Sequence, residues 1–179
     1  MVSTDVWHVE HYEELLKEYG RVCIRWAAVD LMFVRLLSVA LRGNYEAARD
    51  LIFNSAGSGR QRISIFENAI GGSHFEQIDR ERILLITRRI NDLLGARNDV
   101  IHSPLSIAYK VEGKSIRPSV MSTNRRGRER PVSLDAIKEH VALIGHCLSD
   151  LESALVDLCL KYDTGDEVEL IELDEGPAG

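Results

Sequence analysis

The chain has no apolar stretch approaching the length of a membrane span, and Met1 to Glu14 lacks a basic segment followed by an apolar one. These absences predict a soluble protein without a secretory leader or membrane partner. Cysteine is scarce: Cys23, Cys147 and Cys159 fall in helical patterns, none with metal-ligand spacing. An odd number of thiols on core-like positions argues against a disulfide scaffold and fits a reduced, cytoplasmic compartment. There is no internal repeat. Ser55-Ala56-Gly57-Ser58-Gly59 lacks the Lys-Ser/Thr ending of a phosphate loop and reads as a flexible turn. His8-x-x-His11 has helical spacing but no third ligand, so neither metal nor other cofactor is expected.

What is present is an ordinary globular composition, 45% hydrophobic and 28% charged over 179 residues, enough for one domain with a real core. The expected domain covers residues 5–163, followed by a tail at 164–179. From Asp163 onward every charged side chain is acidic, which predicts disorder. The net charge of -6 hides an asymmetry: residues 57–130 hold 14 Lys+Arg against 8 Asp+Glu, and 131–179 hold 2 against 12. A basic middle suits an anionic ligand, while the acidic balance argues against indiscriminate coating of nucleic acid.

Hydrophobic spacing supplies the elements. Between about Val9 and Leu41, Tyr12, Leu15, Tyr19, Val22, Trp26, Val29, Phe33, Leu36 and Ala40 recur at three-four intervals, the seam of a packed helix closed by Gly43-Asn44. Beside it Leu16, Cys23, Asp30 and Leu37 recur every seven residues, with one carboxylate in the row. Two shorter helices are expected at about 45–54 and 61–70, and a long one at about 75–102. Leu105, Ile107, Tyr109 and Val111 then alternate, Glu112-Gly113-Lys114 offers a turn, and Ile116 to Met121 returns, predicting a small β-hairpin. A polar loop, 122–130, carries Arg125, Arg126, Arg128 and Arg130. Ser133 caps a last helix whose Leu134, Ile137, Val141, Ile144, Leu148, Leu151, Leu155, Leu158 and Tyr162 repeat three-four. The expected fold class is all-α, an antiparallel helical bundle with the 105–130 hairpin and basic loop inserted before the final helix. Each long helix carries more apolar surface than one neighbour covers, which favours a homodimer.

Ile83, Ile86, Ile90, Leu93, Leu94, Val100 and Ile101 share a face of the fourth helix, and Arg97 falls within it. A guanidinium there is costly unless paired or beside a cleft. Asn98 and His102, four apart, stack on the adjacent face. Arg97-Asn98-Asp99-Val100-Ile101-His102 resembles the R-x4-H motif of HEPN domains, all-α bundles found in bacterial toxins, antiviral nucleases and nucleotidyltransferase-linked proteins. The resemblance implies a homodimeric, metal-independent endoribonuclease with RNA as its partner. It also implies a setting in defence or in a toxin system with a cognate antitoxin, two motifs being paired across the dimer interface.

Those residue types suit the chemistry. Attack of a 2′-hydroxyl on the adjacent phosphorus needs a proton acceptor, a proton donor to the leaving oxygen and a cation for the phosphorane charge. Histidine serves either proton role, and arginine grips two phosphate oxygens. Asn98 would orient the ring or the phosphate, and Asp30 would support Arg97. The competing interpretation is structural: Arg97 in an ion pair with Asp30, and His102 bonded to the last carbonyls of its helix. Spacing alone leans to that interpretation; the resemblance moves the balance to a site. Arg125, Arg126 and Arg128 are candidate RNA-backbone contacts or simply a solvated loop. His140 and His146 have no partner in register and read as structural or exposed. Two alternatives stay open beside the nuclease: a non-catalytic HEPN-like module binding a protein or nucleotide, and an unrelated helical dimer with an acidic docking tail.

Overall fold

The first seam folds as α1, Tyr12–Ala40, and its buried face includes Leu15, Val22, Trp26, Val29, Phe33, Leu36 and Ala40. This computed structural model describes residues 12–112, 115–123 and 127–162. The predicted tail at 164–179, the His8/His11 pair, and Arg125 and Arg126 lie outside the described residues. Beyond Ala40 the backbone turns left-handed at Arg42 and Gly43, with φ of 56° and 85°, and Gly43 N donates to Ser38 O at 2.9 Å. Ser38 O also accepts from Leu41 N at 3.1 Å, so the turn closes on one of the last carbonyls of the helix.

Asn44 caps α2, Tyr45–Arg49, by accepting from Ala47 N at 3.0 Å. The chain then widens into a π-helical turn, Asp50–Asn54, closed by Ser55 N donating to Asp50 O at 3.0 Å. Next come α3, Gly59–Gly71, and α4, Gln77–His102. Ser58 caps α3 by accepting from Gln61 N at 3.3 Å, so the helix begins earlier than its apolar pattern does. The glycine-serine stretch before it is anchored as well, since Ala56 is buried.

Two strands, β1 (Leu105–Glu112) and β2 (Ser115–Thr123), form the expected hairpin, with Ile107 opposite Val120. A third, β3 (Glu129–Pro131), was not expected. It pairs antiparallel with β2, bringing Arg130 opposite Ser122 and Glu129 opposite Thr123, so the far end of the 122–130 loop is strand. All three β3 residues are exposed, so no inward-outward alternation marks them; backbone pairing along a sheet edge forms the strand. Finally Ser133 caps α5, Leu134–Tyr162, accepting from Ala136 N at 3.3 Å.

The molecule is mostly helical, with this small antiparallel sheet between α4 and α5. Contacts give the helix directions. Asp30 and Phe33 of α1 meet Arg62 and Phe66 of α3, and Glu14 and Arg25 of α1 meet Lys138 and Val141 of α5. Helices α1, α3 and α5 therefore run the same way. Of the four long helices α4 alone runs against the others, as Asp79, Arg82 and Arg89 pair with Lys161, Asp157 and Asp150, so the expected antiparallel bundle is corrected to one with three parallel helices. One cluster of buried residues spans all four long helices and takes in Val120 of the sheet. No described helix is long and apolar enough to cross a membrane.

Candidate nucleic-acid site at the end of the fourth helix

Ile83, Ile86, Ile90 and Leu94 of α4 are buried, while Arg97, three residues beyond Leu94, is half-buried. Its guanidinium lies over the Trp26 ring, 5.4 Å from the centroid, and Nη1 donates to Asn98 Oδ1 at 2.9 Å. The Nε group is buried without a partner. Burial pushes the Arg97 pKa down and the nearby Arg62 cation adds to this, while Asp30 opposes it.

Arg62 of α3, rather than Arg97, makes the direct bond to Asp30, through Nη1 to Oδ2. The expected Asp30–Arg97 ion pair is thus corrected to an electrostatic neighbourhood. Parallel packing explains the change: the stack of Phe33 on Phe66, centroids 4.2 Å apart, places Arg62 one turn back beside Asp30, itself one turn back from Phe33. Asp30 is 6% exposed. Burial raises its carboxyl pKa, while Arg62 and, more weakly, Arg97 pull it down. Arg62 also lies over the ring of Phe53 on the π turn, 5.4 Å from the centroid, and its Nε is buried without a partner.

The motif side chains do not all point one way. Helix α4 is continuous through His102. On a regular helix Asn98 is therefore about 100° and His102 about 140° round the axis from Arg97. The Arg97–Asn98 bond draws the guanidinium toward the side on which His102 stands. His102 is exposed and makes no hydrogen bond or ion pair with the described residues; the expected bond to the last helical carbonyls does not form. Immediately beyond, Thr123 N donates to Pro104 O at 3.1 Å, so the end of β2 lies two residues from His102 in the pairing, and the basic segment follows it in sequence. Within it, Arg128 is exposed.

Sequence reasoning missed Arg62, Phe53 and Trp26 as members of this cluster. One signal was present: Arg62 precedes Phe66 by four residues and so borders the apolar stripe of α3. Of the other candidates, His146 is exposed and His140 is buried with Nε2 unpartnered. Among the described residues no three His, Cys, Asp or Glu side chains are grouped to hold a metal. The cluster offers two guanidiniums, one carboxylate and two aromatic faces, a set suited to binding a phosphorylated ligand. Comparison of the chain with protein-family models, curated proteins and solved structures gives no match.

Proposed function

We propose that this protein is a HEPN-like, metal-independent endoribonuclease that acts as a cytoplasmic homodimer. The observation that carries the reading is the Arg97–Asn98 contact beside an exposed His102 at one helix end. Arg97 is held by Trp26 and Asn98 in a direction set before any ligand arrives, which suits a cation that must meet phosphorane charge. In this reading Arg97 binds the scissile phosphate through its fork of donors. His102 of one protomer takes the 2′-hydroxyl proton, and His102 of the other protonates the leaving 5′-oxygen. The 2′-oxygen bonds to phosphorus as the P–O5′ bond breaks, leaving a 2′,3′-cyclic phosphate and a 5′-hydroxyl. Asp30 holds Arg62 beside Arg97 and is a positioning residue. A role in defence or with an antitoxin rests on the motif resemblance alone.

The test is His102→Ala. Because His102 is exposed, its loss should leave helicity and dimerisation intact while cleavage falls by a factor of about 10²–10⁴. Parental products should carry cyclic phosphate ends, and EDTA should not inhibit. A second reading draws on the burial of Arg97 against Trp26, which suits a structural cation. It makes the chain a non-catalytic helical module binding a partner protein or nucleotide, and parental protein that cleaves no RNA in a broad panel would select it.

A further inference from the structure

Arg62 and Arg97 come from different helices, both feel the single Asp30 carboxylate, and each lies over an aromatic ring. Among the described residues one carboxylate, Asp30, faces the two guanidiniums, so the cluster keeps a net positive charge. Arg62 spends Nη1 on Asp30 yet leaves 26% of its side chain exposed and a buried Nε unbonded. Phe53, whose ring it covers, is 42% exposed as a residue. Phe53 stands on a π turn, a local widening that recurs at functional sites.

Building on the ribonuclease reading, we infer that Arg62 and Phe53 form a nucleotide subsite beside the motif, Arg62 holding a phosphate of single-stranded RNA and Phe53 stacking a base. An inorganic anion would use the guanidinium and leave the ring idle; a nucleotide uses both. Duplex RNA keeps its bases stacked on one another, so a lone exposed ring selects an unpaired strand. The bond to Asp30 fixes the direction of Arg62, and the phosphate takes the donors left over. The subsite engages the strand on one side of the scissile bond and sets the register in which the 2′-hydroxyl reaches His102.

The experiment measures fluorescence anisotropy of a labelled, mixed-sequence 2′-O-methyl RNA, which binds but has no attacking hydroxyl, against the full chain over a range of salt. Phe53→Leu removes the ring at an exposed position and should weaken binding about five- to a hundredfold, the range for loss of one base–aromatic stack. The Asp30→Asn/Arg62→Gln double variant leaves net charge unchanged and removes both members of the pair, while Arg97 loses the carboxylate it feels. It should weaken binding and reduce the salt slope by about 0.7, the share of one phosphate contact on a single strand. Parental affinity and slope in both the Phe53 variant and the double variant would overturn the subsite, as would equal affinity for the duplex form or no binding by the parent. Cleavage assays separate the two ideas. An inactive parent whose binding depends on Phe53 and Arg62 sinks the nuclease and keeps the subsite, whereas an active parent indifferent to both does the reverse.

Discussion

Arg62 donates to Asp30 one helical turn before Phe66 stacks on Phe33, so a charged pair and a ring pair join the same two helices in parallel. The apolar stack fixes the separation of α1 and α3, and the ion pair is satisfied only at that separation. Without Arg62, burial would push the Asp30 carboxyl further up, with Arg97 left to oppose it. The bond is therefore worth more as protection against an unpaired charge than as a net gain.

A double-mutant cycle reads this directly. Asp30→Asn leaves Arg62 and Arg97 facing each other without their carboxylate and should cost about 3 kcal/mol, the lower end for a broken buried pair because Arg62 is partly solvated. The Asp30→Asn/Arg62→Gln double variant should cost less than the sum of the single changes. Urea denaturation of the four proteins gives the coupling; additive losses would show that the pair is incidental.

The long elements were legible because their periods are local. The α1 seam runs from Leu15 to Ala40 and stops where Gly43 turns, and the Ser133 cap sits where its hydroxyl meets Ala136 N. The half-burial of Arg97 was legible from its place on an apolar face. What escaped depends on contacts between distant segments. Strand β3 exists because β2 offers it an edge, and nothing in Glu129-Arg130-Pro131 announces that pairing. The sequence pattern pairs Asp30 with Arg97 of the R-x4-H motif, whereas the helix that packs in parallel on α1 brings Arg62 closer. The direction of a helix in a bundle is set by packing, not by period.

His140 sets an acid limit on stability. It is buried on α5 with Nε2 unpartnered, and burial pushes its pKa below 6.5. The folded state therefore binds that proton less readily than the unfolded chain. The contribution is fully present above the ordinary histidine value and is lost as pH falls through the depressed one. His140→Leu removes both the titration and an orphaned polar atom, so it should stabilise by about 1 kcal/mol at pH 7. Its advantage should widen in acid. Thermal melts at several pH values test this, and parallel stability curves for parent and variant would exclude it.

The basic segment should add affinity without chemistry. Arg128 is exposed, and the segment follows Thr123, whose N donates to Pro104 O two residues from His102. Replacing Arg125, Arg126 and Arg128 together with Gln should weaken RNA binding and flatten its salt dependence, because fewer counterions are released. Single-turnover cleavage at saturating RNA should change little. Parental binding at every salt concentration would make the segment merely solvated surface.

The proposed composite site makes a sharper demand on stoichiometry. One imidazole cannot accept and donate a proton in the same step, so a competent dimer needs His102 from both protomers. His102→Ala subunits exchanged into parental protein should then act as poison. Activity should fall with the square of the parental fraction, because a mixed dimer lacks one of the two rings. If each protomer cleaves alone, activity falls only in proportion to that fraction. Mixing at constant total concentration, after subunit exchange is verified with differently labelled protomers, separates the two curves. Proportional loss, or a chain that sediments as a monomer at micromolar concentration while still cleaving, would rule out shared histidines.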